Sequence, residues 1–227
     1  GSALAREIAH TPYTSIILTG RREEDAGITR LVTDLRRTGA DASYVQLDAS
    51  DDGAMLELLV VLHARHGALA GVIHSAIVLE NGPLSTMTDE SFEAALAPKL
   101  ATMTWMAQAF THNAPSFIAV FSSLIGFSGG AGQANYAAAS AALDAAADGL
   151  RHALACPVKV IDWGFWGETG IVATASERAR LASQGMGALG TAEGIELFRQ
   201  ALASQHDRLV IARKQSAAMP QAARSEP

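Results

Sequence analysis

The chain has 227 residues, 49% of them hydrophobic, and a net charge of −6 from 17 Lys and Arg against 23 Asp and Glu. That is enough for one large α/β domain with a sizeable core, and the lack of any basic tract argues against a nucleic-acid partner. The single cysteine, Cys156, excludes an internal disulfide framework and fits a reducing, cytoplasmic setting; no stretch reads as a membrane span, since the longest apolar one is broken by His63, Arg65 and His66, and "GSALAREIA" has no signal-peptide character.

In chain order, helical spacing runs over 3–10, and "TSIILTG" (14–20), closed by Gly20, predicts a buried strand. Residues 26–40 predict a helix with Ile28, Leu31, Val32 and Leu35 on one face, stopped by Gly39. A strand at 42–48, a helix at 52–67 and a strand at 69–76 follow. The helix over 89–110 contains Pro98, which predicts a bend. Then come a strand at 116–123, a long helix at 132–155 and a strand at 157–164. After a mixed segment, a helix at 191–204 and a last strand at 207–213 lead into 214–227, a tail with disordered composition. Alternation of strand and helix predicts a doubly wound, mostly parallel sheet with helices on both faces.

In such a sheet the ligand lies beyond the carboxyl ends of the strands. Candidate cofactor positions are therefore Gly20, Arg21 and Arg22 in "TGRR", Asp48 and Ala49 in "LDAS", and Ser75 and Ala76 in "HSAIVLENG". Arg21 and Arg22 stand where an acid would bond the 2′-hydroxyl of NAD; arginine instead matches the 2′-phosphate of NADPH. The alternative is two solvated arginines at a helix start. Asp48 reads equally as an adenine contact or a helix cap.

Lys99 fills a gap in the apolar stripe Phe92, Leu96, Met103, Met106, Phe110. A lysine on that face needs a partner, unless it snorkels outward past Pro98. Ser122 and Ser123 end a strand, Tyr136 opens the next long helix, and Ser140 lies one turn on, at i+4. Tyr136 is surrounded by Gly, Ala and Ser, which leave open space beside its phenol. A phenol titrates near 10 and needs help to act at neutral pH; a nearby ammonium lowers its pKa. Lys99, Ser123 and Tyr136 together read as a cation, a carbonyl-holding hydroxyl and a proton donor, a set that reduces a ketone when a hydride donor stands beside it. The alternative for Tyr136 is a packed aromatic at a helix start. No metal-ligand pattern is read.

"HSAIVLENGPL", "APKL", "FSSLIGFSGGAGQANYAAAS" and "VIDWGFWGETGIVA" resemble the ketoreductase domains of modular polyketide synthases, in the short-chain dehydrogenase/reductase superfamily, and in particular those of assembly lines with trans-acting acyltransferases. The resemblance covers roughly residues 1–213, taken as the catalytic unit. It implies a Rossmann-like fold whose first strand and glycine-rich phosphate loop stand outside this chain, with Gly1 as either the last glycine of that loop or a cloning remnant. It also implies NADPH-dependent reduction of a β-ketoacyl chain on the phosphopantetheine arm of an acyl carrier protein, alongside other synthase domains. Tyr136 takes the place of the proton donor, Ser123 that of the carbonyl-binding serine, and Lys99 that of the lysine that holds the ribose and tunes the tyrosine. Ser140 stands where the family usually has Asn, and its shorter side chain predicts a water in the relay to Lys99. Ile77 stands where a glycine is common. Substrate positions carried by the resemblance are Asn81, Ser128, Gln133 and Trp166. "LEN" at 79–81 and serine rather than tryptophan at 128 imply a D-configured β-hydroxyl product. The competing readings are a structural domain without turnover and a stand-alone reductase of fatty-acid synthesis; the second fits poorly, because lysine would be expected at the position of Ser140.

Overall fold

The computed structural model describes residues 1–169, 181 and 185–214. Eight strands are described: β1 (Ser15–Gly20), β2 (Asp41–Gln46), β3 (Val72–His74), β4 (Ile118–Ser123), β5 (Val158–Trp163), β6 (Met186–Gly187), β7 (Arg208–Ile211) and β8 (Arg213–Lys214). The helices are α1 (Ser2–Ile8), α2 (Ala26–Arg37), α3 (Asp52–His66), α4 (Asp89–Phe110), α5 (Leu124–Ser128), α6 (Ala134–Ala153) and α7 (Thr191–Ala203), with one 3₁₀ turn at Leu84–Thr86. The parallel strands form two groups, β1 with β2 and the four-stranded set β3-β4-β5-β7. Thus the expected sheet is split: β1 and β3 are not bonded to each other. No described helix is long and apolar enough to cross a membrane.

Strand alternation explains the layering. On β4, Ile118 and Val120 join Val158 and Val160 of β5 in a core with Met103, Trp105, Met106 and Phe110 of α4 and Leu143, Ala147 and Leu150 of α6. Ala119 and Ile161 face the other way, toward Leu4 of α1 and Phe198 and Ala201 of α7. A separate core joins β1 and β2 to α2 through Ile16, Ile28, Val32, Leu35 and Ala42, with Ala5 of α1. Helix α1 thus spans two cores with adjacent residues. Asp25 caps α2 by accepting from Gly27 N and Ile28 N, each at 2.8 Å, and Asp51, not Asp48, caps α3.

Several expected boundaries shift. β3 is shorter than 69–76, because residues 75–83 leave the sheet as a loop; before it, Gly71 lies under the Phe117 ring, where a Cβ would meet it at 2.4 Å. Helix α4 continues through Pro98, whose carbonyl accepts from Thr102 Oγ1 at 2.9 Å. The stretch read as a glycine-rich passage holds α5, capped by Ser123, whose Oγ accepts from Ile125 N at 3.2 Å. Gly126 lets α5 lie on α6: a Cβ there would come within 2.9 Å of Ser140 Cβ and 3.1 Å of Ala141 N. Gly129 ends α5 with φ +70°, a conformation that a side chain strains. The last strand is two, and Lys214, assigned to the tail, pairs with Met186; residues 215–227, like 170–173 of the "WGFWGETGIVA" motif, lie outside the described residues.

Candidate active site

A cleft of about 370 Å³ opens at the carboxyl ends of β3, β4 and β5, against the start of α1. Its polar wall carries Ser75, Lys99, Ser122, Ser123 and Tyr136, and its apolar wall includes Ile77, Leu79, Trp163 and Trp166. The polar residues arrive on several elements. Ser122 and Ser123 end β4, Lys99 faces inward from the middle of α4, and Tyr136 stands in the first turn of α6. That is where a parallel sheet and its helices leave a crevice.

Lys99 does not snorkel; it is 6% exposed. Its Nζ donates to Ser140 Oγ at 3.1 Å and stands 4.7 Å from the centroid of the Tyr136 ring. The contact to Ser140 is direct, which corrects the expected bridging water: α4 and α6 pack closely enough for the shorter side chain to reach. Burial lowers the Lys99 pKa to about 8, against the charge of Asp144, which raises it. The Tyr136 pKa moves up rather than down: burial raises it, and the Ser123 and Ser140 hydroxyls, bonded to its phenol, pull it back only in part. The expectation that the ammonium lowers it is corrected; Lys99 sits over the ring face, not at the oxygen.

The small neighbours of Tyr136 also do other work than expected. Gly126 serves the α5–α6 contact, and Ala139 and Ser140 are wholly buried. The cleft beside the phenol is lined instead by the loop after β3 and by Leu124.

Among the other sequence-derived candidates, Ala76, Gln133 and Trp166 line the cleft, and Gly20, Arg21, Arg22, Asp48, Ala49, Asn81 and Ser128 do not. Arg22 is exposed and pairs with Asp25 at 3.5 Å. The loop it shares with Arg21 is pinned by Tyr44, whose hydroxyl donates to Gly20 O at 2.9 Å and Arg22 O at 2.6 Å. Asp48 spends one oxygen on Ser50, from its N at 2.9 Å and its Oγ at 2.7 Å. The Ala49 carbonyl is held by Trp105 Nε1 at 2.8 Å. Ser128 Oγ donates to Gly129 O at 3.1 Å, outside the cleft.

Asn135 went unread in the sequence and organises the entrance. It is 0% exposed; its Nδ2 donates to Glu80 O at 2.8 Å and its Oδ1 accepts from Tyr136 N at 2.8 Å. Gly82 N donates to Gly132 O at 2.9 Å. The loop bearing Asn81 is therefore tied to the start of the tyrosine helix. An asparagine in a first helical turn looks like an ordinary cap, and only burial sets this one apart. Among the described residues no group of His, Cys, Asp and Glu is placed to hold a metal.

The model of the KR domain family matches residues 1–168. Polyketide synthase ThaG of Burkholderia thailandensis is 40% identical over 189 residues, 83% of this chain and 3% of that protein. Polyketide synthase PksN of Bacillus subtilis is 33% identical over 211 residues, 93% of this chain and 4% of that protein. The chain thus spans a small fraction of the length of these relatives. A crystal structure of a ketoreductase domain from the bacillaene assembly line superposes with TM-score 0.88 at 30% identity, covering 95% of this chain and 53% of that one. A-type ketoreductases from a modular polyketide synthase superpose with TM-score 0.87 at 28% identity, over 95% of this chain and 45% of theirs. The Rossmann-like sheet, the cleft at its carboxyl ends and these matches place the chain in the KR domain family, the short-chain oxidoreductase domains that carry out ketoreduction in polyketide synthases.

Proposed function

We propose that the chain reduces a β-ketoacyl thioester, carried on the phosphopantetheine arm of an acyl carrier protein, to the β-hydroxyacyl thioester with NADPH, working beside other domains of a synthase. The observation that carries the reading is the convergence of Lys99, Ser123 and Tyr136 at the polar wall of one cleft, with the buried Ser140 hydroxyl bonded to Lys99 beside it. The residues present fit a nicotinamide cofactor. A Cβ built on Gly1 would stand 3.0 Å from Ser75 Oγ, so a residue without a side chain suits that wall of the cleft. Lys99 has three N–H donors and spends one on Ser140, leaving two for ribose hydroxyls. When bound, the cofactor supplies a hydride to the ketone carbon.

The chain's own groups handle the oxygen. Ser123 donates a hydrogen bond to the carbonyl, and Tyr136 gives its phenolic proton to the oxygen as negative charge develops there. The resulting phenolate is stabilised by the Ser123 and Ser140 hydroxyls and by the Lys99 ammonium behind Ser140. Burial holds the Tyr136 proton in place until the substrate oxygen becomes basic enough to take it.

NADPH oxidation with a β-ketoacyl thioester tests the reading. Tyr136→Phe should remove turnover, a loss of at least about a hundredfold for a missing general acid, while leaving the melting curve in place. A parent chain that binds NADPH and never turns over would instead support a structural domain without catalysis.

A further inference from the structure

Lys99 poses a charge-balance problem that the cleft does not answer. Its ammonium is buried, and its described partners are neutral: the Ser140 hydroxyl at 3.1 Å and the Tyr136 ring face at 4.7 Å. Among the described residues it has no ion pair. A buried ammonium without counter-charge is costly and tends to shed its proton.

One turn along α6 from Ser140 stands Asp144, its side chain 3% exposed, in an ion pair with Arg208 Nη2 at 2.6 Å. The same guanidinium donates through Nε to Asp162 Oδ2 at 2.7 Å, and Asp162 is 0% exposed. One arginine of β7 thus serves two buried carboxylates, from α6 and β5. Each carboxylate keeps one buried oxygen, Asp144 Oδ1 and Asp162 Oδ1, without a hydrogen-bond partner. Two carboxylates and one guanidinium leave a single negative charge, and Lys99 is a buried cation across Ser140 that balances it. Ser122 stands between them: its Oγ donates to the Ser140 carbonyl at 3.4 Å, and its hydroxyl dipole lies near enough to Asp144 to lower that carboxyl's pKa.

We propose that the Asp144–Arg208–Asp162 cluster is the counter-charge of Lys99, and that Asp144 is a positioning residue that keeps the ammonium charged from behind Ser140. Its consequence for turnover rests on the ketoreductase reading; the charge balance itself does not. The coupling runs both ways: the Asp144 charge raises the Lys99 pKa, and the Lys99 charge lowers that of Asp144, which burial nonetheless holds up at about 6. The remaining titratable neighbours do not supply the charge. His74 of β3 is kept neutral by burial and then by Lys99, its pKa lowered to about 4, and Tyr136 is raised. Asp148 and Arg151, which share the neighbouring cleft with Asp144, pair with each other, and Arg151 also pairs with Asp207 at 3.4 Å. Lys159 of β5 is spent on Ser204 O at 2.8 Å and His206 O at 2.9 Å.

The test is an NMR titration of the whole chain labelled at lysine Cε. The chain has three lysines, Lys99, Lys159 and Lys214, so Lys99→Arg assigns the resonance. Asp144→Asn should lower the Lys99 midpoint by about one pH unit, and Asp144→Glu should leave it near that of the parent. Arg208→Gln alone should not lower it. The double variant Asp144→Asn/Arg208→Gln again leaves one net negative charge, on Asp162, and should bring the midpoint most of the way back. A purely structural role predicts the reverse, a double variant at least as damaged as the single. If Asp144→Asn loses its cooperative melt, Asp162→Asn removes the same charge from β5 and is read in the same way. An unmoved midpoint in the folded single variant, or a double variant lowered as far as the single, overturns the proposal. Because this readout needs no turnover, a parent chain that fails to reduce any ketone sinks the ketoreductase reading and leaves the charge assignment to be decided by the titration. Where the parent does turn over, the alkaline limb of its kcat profile should move with the Lys99 midpoint across the same variants.

Discussion

Ser140→Ala isolates the contact between the two central helices. Ser140 is 0% exposed, and its Oγ is the hydrogen-bond acceptor of the Lys99 ammonium, at 3.1 Å. Alanine keeps the Cβ that packs against Gly126, so the α5–α6 contact survives and the change is confined to one hydroxyl. A hydrogen bond to a charged donor is worth about 2 kcal/mol, or roughly 4–8 °C in Tm for a domain of this size. The same loss expressed in the transition state would be about 30-fold in kcat, since Tyr136 also loses one of the two hydroxyls that pull its pKa down. The pH dependence sharpens the test. Lys99 titrates at about 8 in the folded chain, below its ordinary 10.5, because it is buried. The unfolded chain therefore binds more protons between those values, and the burial cost of the ammonium is full below about 8 and relieved as pH rises toward 10.5. Thermal melts of parent and variant should differ most near pH 7 and converge above pH 9. Coincident melts at pH 7, or a gap that widens with pH, would refute the assignment of Ser140 as the stabilising partner of a buried ammonium.

Other expectations follow from the same geometry. Arg21→Ala/Arg22→Ala should weaken NADPH binding far more than NADH binding in a fluorescence titration; equal losses would make the pair surface charge only. Gly126→Ala would push a methyl to 2.9 Å from Ser140 Cβ and 3.1 Å from the Ala141 backbone nitrogen, so it should cost about 1–3 kcal/mol in urea unfolding, whereas Gly149→Ala, where a Cβ meets nothing within 4 Å, should be neutral or stabilising. With Leu79-Glu80-Asn81 on the loop tied to Asn135, and serine at 128, chiral chromatography of the product from a β-ketoacyl thioester should show the D-configured hydroxyl; a predominantly L product would overturn that reading of residues 79–81 and 128.

The order of elements, the parallel sheet and three of the site side chains were legible in the sequence because each leaves a local signal. Apolar runs of strand length alternate with helical periodicity, Lys99 interrupts a stripe, and Ser123 and Tyr136 sit where a strand ends and a helix begins. Other features come from contacts between segments far apart in the chain, and no periodicity encodes them. The direct Lys99–Ser140 bond depends on how closely α4 approaches α6, a distance between helices far apart in the chain. The upward shift of Tyr136 is a matter of burial, which a list of neighbours in sequence cannot report. Asn135 carries no local signal, and only the loop after β3 packed on it shows its role. Asp144, Asp162 and Arg208 each read as ordinary polar residues on separate elements. Only the folded sheet brings one guanidinium between two carboxylates. Low dielectric makes the charge left over reach a lysine on another helix.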